Sequence, residues 1–212
     1  KKRNIMGLNL SRMEDTPVEQ VSNIGCNPIF SFIFIADTHG FLDDFKKQKE
    51  LIVKIHPEYV LAEQLQDLTL DSPEKYTSIL KKKEISEMVS WEEVKTLIQL
   101  CKQRNIKLIG MDMNNFGFSP HLQQVVKGKK QATANDEEEI EKIIKQRQKK
   151  HIQVCKKYLT KTDKPIVVIV GAWHLQESSP LMLELKNYQV IFPVTIEGKI
   201  LLNPEGKMEK VQ

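Results

Sequence analysis

Ionisable side chains follow four apolar segments of this sequence, at the points where predicted strands end: Asp37 with His39, Glu63, Asp112 and His174. An acid and an imidazole at the end of a buried strand are seldom needed for packing. Because parallel strands place their carboxyl ends along one edge of a sheet, where ligands bind, we expect these side chains to converge. Two histidines with carboxylates could then bind a divalent metal or exchange protons. The alternative is that each is an ordinary loop residue at a strand end.

A long helix predicted over residues 136–159 carries a cation within its apolar face. Its apolar stripe comprises Ile140, Ile143, Ile144, Val154, Cys155 and Tyr158. The helical period places Arg147 and His151 in the middle of that stripe. A buried guanidinium needs an anionic partner, so we expect Arg147 to bind an acid such as Glu63, or a substrate oxyanion. The alternative is that its long side chain extends to the surface. His151 is interpreted as a core or rim histidine.

The elements that position these side chains follow from the apolar pattern. Short apolar runs bounded by turn residues predict buried strands, and apolar residues three and four apart predict helices. The predicted strands are 30–36, 59–62, 106–111 and 165–170, with a closing hairpin of 190–194 and 199–202. The predicted helices are 41–55, 90–105, 136–159 and a short one from Ser179, whereas the polar stretch 64–88 is interpreted as mobile. Strands separated by helices predict an α/β fold, a mainly parallel central β-sheet flanked by helices.

The length and composition indicate one globular domain. The chain has 212 residues, of which 40% are hydrophobic and 28% charged, which is enough for a single core. We assign residues 29–212 to the α/β domain and the mixed, polar residues 1–28 to a partly ordered N-terminal arm. The first ten residues lack the long apolar segment of a signal peptide. The chain opens on Lys1, and whether it is a fragment of a longer protein stays open.

Charge and cysteine content exclude several classes of partner. The net charge of +4 is mild, the lysines are spread among acids, and only 7% of residues are aromatic, so no nucleic acid partner is expected. The three cysteines form no CxxC motif, which argues against a disulfide framework and favours a reducing, cytoplasmic location. The apolar runs are only of strand length, so no membrane span is expected. Whether the chain forms a homo-oligomer stays open.

The motif "ADTHG" after the first strand resembles the first signature of the calcineurin-like metallophosphoesterases. In that family an Asp-x-His at a strand end binds one of two metals. The later signatures of the family are missing, because the second strand is followed by "EQLQD", the third ends in "IGMDMNN", and the late motif "GAWH" has a single histidine. A two-metal clamp would lack most of its ligands, so this family is kept only as an alternative.

A second resemblance covers most of the chain. The order of five features along the chain resembles the TraB/Tiki family, which is related to the erythromycin esterases and the ChaN-like haem-uptake proteins. These features are His39, "PEYVLAEQL", "IKLIGMDMNN", "KQRQKKH" and "IVVIVGAWHL". The marks of that family are two Gly-x-x-His motifs, a glutamate after the second strand, and an arginine on a helix before the last motif. Here 171–174 matches the second motif fully, and 36–39 matches the first with alanine in place of glycine. Glu63 and Arg147 match the other two marks.

This resemblance implies an erythromycin esterase/ChaN-like fold with a hydrolytic site at the sheet edge. Some members resemble metal-dependent peptidases with Mn²⁺ or Co²⁺, and the esterase branch activates water with a histidine and glutamates. The resemblance therefore implies that His39, Glu63 and His174 either bind one divalent metal, with Zn²⁺ a weaker choice, or act as base and orienting group. Arg147 would stabilise the oxyanion. The implied substrate is a peptide or a small-molecule ester.

Five further residues are assigned from their places at strand ends and in loops. Asp37 and Asp112 are expected to orient the histidines through hydrogen bonds. Phe116 and Phe118, in the loop "DMNNFGFSPH", either line an apolar substrate pocket or pack under the loop. Trp173 either flanks the substrate or packs against the sheet edge. The main alternative from a different class is a non-catalytic module that binds haem or a peptide at the same edge.

Overall fold

A computed structural model of the chain describes residues 30–37 and 45–192, together with the backbone of 42–44, 199–200 and 209–210. The predicted N-terminal arm, residues 1–28, and the candidate ligand His39 lie outside the described residues. None of the helices in the described part of the chain combines the length and apolar character that a bilayer crossing needs.

A six-stranded sheet forms the centre of the fold, and its strand order is β3-β4-β2-β5-β1-β6. The strands are β1 Phe32–Asp37, β2 Tyr59–Ala62, β3 Thr69–Leu70, β4 Lys107–Gly110, β5 Ile166–Gly171 and β6 Tyr188–Ile191. All neighbouring pairs are parallel except β3 with β4. A separate antiparallel pair joins β7, Lys199–Ile200, to β8, Glu209–Lys210. The predicted α/β fold with a mainly parallel sheet is confirmed.

Six α-helices accompany the sheet in the described part of the chain. They are α1 Leu42–Ile55, α2 Pro73–Lys82, α3 Trp91–Gln103, α4 Pro120–Val126, α5 Ala134–Leu159 and α6 Pro180–Glu184. Serine hydroxyls at the N-caps of α2, α4 and α6 accept a backbone N–H of the first turn. Helix α5 begins with a reciprocal capping box between Thr133 and Asp136. These caps fix where those four helices begin.

Two apolar cores lie on opposite faces of the sheet, because successive side chains of a strand point to opposite sides. Ile33 and Ile35 of β1 face a core shared with α1, α2 and α3. Phe32 and Phe34 face a second core, to which α5 contributes Cys155 and Tyr158 and α6 contributes Leu181 and Met182. The central strands are therefore buried on both sides, as is usual for a parallel sheet.

The length of α5 decides where its middle lies. Its 26 residues extend for roughly 39 Å, whereas a six-residue strand covers about 20 Å. Tyr158, near its end, stacks 5.1 Å from Tyr59 at the start of β2. Ile143, two turns after the start of the helix, packs instead against Phe116 and Phe118 beyond the sheet. The middle of α5 consequently crosses the carboxyl edge of the sheet.

Two predicted elements were wrong. Residues 64–88 are largely ordered, since they contain β3 and α2, and α2 buries Tyr76 and Ile79. Only these two side chains of the helix are fully buried, with Leu80 partly buried beside them, so its lysine-rich composition hid the pattern. The predicted hairpin is also wrong, because β6 runs parallel to β1 and β7 pairs with β8. Helix α6 returns the chain to the start of the sheet, which leaves β6 with a parallel neighbour.

Candidate functional site

Three ionisable side chains meet at the carboxyl edge because they follow neighbouring strands β4, β2 and β5. Glu63 comes directly after β2 and is 3% exposed, and Asp112 lies just after β4 with no exposure. His174 lies in a short 3₁₀ helix, Ala172–Leu175, that follows β5, and it is 6% exposed. Strand order alone therefore brings together residues that the sequence separates by up to 111 positions, from Glu63 to His174.

Arg147 bridges the two carboxylates from the middle of α5. Its Nη2 atom donates to Oε1 of Glu63 at 2.5 Å and lies 2.8 Å from Oδ2 of Asp112. Its Nε atom donates to both carboxylate oxygens of Asp112, at 2.9 and 3.1 Å. The aromatic ring of Phe116 lies 4.8 Å from the guanidinium carbon. Burial opposes the charge of Arg147, but Glu63 and Asp112 outweigh it and raise the pKa of the guanidinium.

Glu63 is surrounded by groups that favour its ionised form. Its Oε2 atom accepts the backbone N–H of Gly171 at 2.7 Å, and its Oε1 atom lies 3.5 Å from Nε2 of His174. Burial alone would raise the pKa of Glu63, but His174, Arg147 and His151 together hold it well below its ordinary value. A charged, buried carboxylate consequently stands at the centre of the edge.

Asp112 connects Arg147 to a second histidine. Its Oδ2 atom lies 2.9 Å from Nε2 of His151, whose side chain is fully buried, and its Oδ1 atom accepts the backbone N–H of Met113. Burial opposes ionisation, but the contacts with His151 and Arg147 lower the pKa of Asp112. Burial lowers the pKa of His151 against the opposing effect of Asp112, so its imidazole stays neutral to lower pH than usual.

The two histidines pack against each other at the edge. Their ring centroids are 4.9 Å apart and the rings are nearly perpendicular. The Nε2 atom of each faces a carboxylate, and the buried Nδ1 atom of each has no hydrogen-bond partner among the described residues. The hydroxyl of Ser179 donates to the backbone carbonyl of His174 and fixes that turn. An imidazole that faces a carboxylate on one nitrogen and has no partner on the other can act as a proton acceptor if that second nitrogen becomes accessible.

The other predicted site residues occupy different environments. Asp37, at the end of β1, accepts the side-chain amides of Gln48 and Gln64 at 2.8 and 2.6 Å. Phe116 and Phe118 are each 9% exposed and pack beside α4 and α5, and the ring of Phe116 contacts Arg147. The half-buried Trp173 stacks edge-on, 5.3 Å from the ring of His174. The substrate-binding role predicted for the three aromatic residues stays a prediction.

Two further residues of this edge, His151 and Gln66, were not among the predicted site residues. His151 follows Arg147 by four residues, a spacing that places two side chains on the same face of a helix. This spacing was the signal that His151 lies at the sheet edge together with Arg147. Gln66 has the unusual backbone angle φ +55°, and its carbonyl accepts the N–H of Asp112 at 2.9 Å. Its side chain accepts the N–H of Asn115 and donates to Ser86. No local pattern in the sequence indicates this link between the loops after β2 and β4.

Glu63, Asp112 and His151 form a group of the kind that could hold a metal ion, since one ligand atom of each lies within 4.8 Å of the others. Two oxygens and one imidazole nitrogen suit Mn²⁺, Co²⁺ or Zn²⁺. Arg147 already binds both carboxylates, so a bound ion would lie within about 4 Å of its guanidinium. A double and a single positive charge at that distance repel by roughly 8 kcal/mol at an effective dielectric constant of about 20. The donors fit an ion, but only without Arg147 in its present place.

Comparison with known proteins gives a distant similarity in structure. No family model and no curated protein matches the chain. Among solved structures, the chain is similar to one described as cofacial heme binding to ChaN of Campylobacter jejuni, with a TM-score of 0.46 and 11% sequence identity. The similarity covers 76% of this chain and 80% of that chain. A similarity of this size assigns no function, and membership of the TraB/Tiki family stays a prediction.

Proposed function

We propose that this protein hydrolyses an amide or ester bond, as its resemblance to the TraB/Tiki family implies, with Glu63, His174 and Arg147 as the reacting groups. The observation that carries the proposal is the contact of one buried carboxylate with both a cation and an imidazole. Oε1 of Glu63 lies 2.5 Å from Nη2 of Arg147 and 3.5 Å from Nε2 of His174. Glu63 therefore holds a base, His174, and an oxyanion stabiliser, Arg147, side by side at one site.

The proton path follows from the orientation of His174. With its Nε2–H directed at Glu63, the Nδ1 atom is the unprotonated nitrogen. It is buried in the absence of substrate, so the mechanism requires that it become accessible to the attacking water, from which it takes a proton, when substrate binds. The resulting hydroxide adds to the carbonyl carbon of the substrate. When the tetrahedral intermediate collapses, the same nitrogen returns the proton to the departing alcohol or amine. The 3.5 Å separation is long for a hydrogen bond, and such contacts commonly shorten when substrate binds.

Arg147 supplies the positive charge of the proposed mechanism. Its Nε and Nη2 atoms hold the two carboxylates, whereas Nη1 donates no hydrogen bond to any residue that the structure describes. The N–H groups of Nη1 are therefore available to the oxyanion that forms on the substrate carbonyl. One such donor typically contributes about 3–4 kcal/mol to the stability of the transition state. The resemblance to the TraB/Tiki family implied either a Mn²⁺ or Co²⁺ ion or a base with an orienting group to activate the water, and the mechanism proposed here uses the second.

Hydrolysis of model substrates tests this proposal. Wild-type protein is incubated with short-chain esters and a mixed peptide library, with and without EDTA. We expect turnover in both conditions and a loss of about 10²- to 10⁴-fold in His174→Ala, the contribution typical of a general base. His121→Ala is the matched control, because the side chain of His121 is 52% exposed and bonds only Asp136 among the described residues. It should stay within twofold of wild type.

Two results would count against the proposal. Activity of His174→Ala within a few fold of wild type would remove His174 from the mechanism. A wild-type protein that turns over no ester or peptide, but binds haem or a peptide in a manner sensitive to His174→Ala, would favour the non-catalytic binding module.

A further inference from the structure

Arg147 stands where a bridging cation would stand between two buried acids. A single nitrogen, Nη2, contacts one oxygen of Glu63 and one oxygen of Asp112. Divalent ions join carboxylates in the same way, at about 2.0–2.6 Å from each oxygen. We propose that the guanidinium of Arg147 replaces a divalent metal ion at this position, so that the native site binds none, and that removing the guanidinium uncovers a metal site formed by Glu63, Asp112 and His151.

The guanidinium is held too firmly for a metal ion to displace it easily. Its Nε atom bonds both oxygens of Asp112, and the ring of Phe116 covers its carbon atom. The side chain is 13% exposed. An ion that took both carboxylates would leave a guanidinium buried without an anionic partner, which proteins avoid. The guanidinium of Arg147 therefore prevents a dissolved metal ion from binding to the two carboxylates.

The groups left behind by removal of Arg147 form a ligand set. Their ligand atoms lie within 4.8 Å of one another, and an ion with bonds of about 2.1 Å holds its ligand atoms about 3–4 Å apart. The three side chains therefore need only small movements to bring their ligand atoms to the distances that one bound ion requires. All three residues are at most 3% exposed, so the site would exclude competing water. Two uncompensated carboxylates in such a place favour a divalent ion over a monovalent one.

Metal binding by variants at position 147 tests the inference. Arg147→Met keeps an unbranched apolar side chain against Phe116 but removes the charge. Wild type and Arg147→Met are melted with EDTA and with rising Mn²⁺, Co²⁺ or Zn²⁺, and the visible absorption of Co²⁺ is recorded. We expect no change for wild type. For Arg147→Met we expect the melting temperature to rise by about 5–10 °C at an ion concentration roughly 100 times Kd.

A double variant locates the ion. Arg147→Met with Asp112→Asn retains the same fold elements but loses a charged ligand, and it should lose the Co²⁺ absorption and most of the temperature shift. If Arg147→Met alone is unfolded in EDTA, the inference requires that Co²⁺ or Mn²⁺ restore its circular dichroism. A further variant, Arg147→Met with Glu63→Gln, restores the charge balance by removing one acid, and it should fold without any ion.

Each contrary result is distinct. Equal metal-induced shifts in wild type and Arg147→Met would show that the guanidinium does not exclude the ion. A shift that survives Asp112→Asn would place the ion elsewhere, and no binding by a folded Arg147→Met would show that the three residues are not a metal site. The inference concerns the site on which the proposed function rests, but binding is measured without turnover, so either can fail while the other stands.

Discussion

Glu63 and Arg147 are 84 residues apart in sequence, and the Nη2 atom of Arg147 donates to Oε1 of Glu63 at 2.5 Å. Their side chains are 4% and 13% exposed. Glu63 is fixed by the end of β2 and by the N–H of Gly171, whereas Arg147 is fixed by its place on α5. The pair therefore joins the sheet to the long helix, and it holds a positive charge over the sheet edge.

Loss of the guanidinium should destabilise the protein strongly. Arg147→Met leaves two buried carboxylates without a cation, so we expect the free energy of unfolding in EDTA to fall by about 3–5 kcal/mol. Urea denaturation measures it. Lys156→Met on the same helix is the control, because its ion pair with Glu184 is about half exposed and should contribute less than about 1 kcal/mol. Similar losses in the two variants would contradict the importance of the buried network.

Stability should decrease steadily as the solution is acidified. Burial lowers the pKa of His151 from its ordinary 6.5, and the pKa values of Glu63 and Asp112 lie below their ordinary 4.5 and 3.8. In each case the unfolded chain binds protons at a higher pH than the folded chain does. The free energy of unfolding should therefore begin to fall below about pH 6.5 and fall more steeply below about pH 4.5.

Urea midpoints between about pH 7.5 and pH 4 measure this effect. His151→Gln should flatten the dependence between about pH 6.5 and 5 and leave the decline at lower pH. An unchanged profile in that variant would mean that His151 does not titrate differently in the folded and unfolded chains.

Gly110 should tolerate no side chain. A Cβ atom there would lie 2.2 Å from the carbonyl oxygen of Gln66 and 2.8 Å from that of Leu65, and both are backbone atoms. Gly110→Ala should therefore cost about 3 kcal/mol in urea denaturation. Gly128→Ala provides the comparison, because that position has φ +69° but open space around it. It should lose only about 1 kcal/mol, and equal losses would argue against the close approach at Gly110.

At position 66, glycine should destabilise the protein less than alanine does, which is the reverse of the usual order. Both substitutions remove the side-chain bonds to Asn115 and Ser86, but only glycine adopts φ +55° without strain. We expect Gln66→Gly to be more stable than Gln66→Ala by about 1 kcal/mol. If alanine is the more stable of the two, as it is in an ordinary helix, the positive backbone angle at Gln66 is wrong.

Local patterns in the sequence were sufficient for much of the fold. The strand 59–62 was predicted with its observed bounds, and β1, β4 and β5 were predicted to within two residues. Fully apolar runs bounded by turn residues allow little else in a chain of this length. Helix α2 was not predicted because only Tyr76 and Ile79 on it are fully buried, with Leu80 partly buried beside them, and so short an apolar pattern is hard to recognise.

The sequence by itself determined that Arg147 lies inside an apolar stripe, where a guanidinium that does not reach the surface needs an anionic partner. It also placed ionisable groups at the strand ends. Only the tertiary structure decided that Arg147 binds two acids, and that His151 completes the contact with Asp112. The reason is that these partners lie on separate elements. Their distances depend on strand order and on the crossing of α5 over the edge, and neither is encoded in the spacing of neighbouring residues.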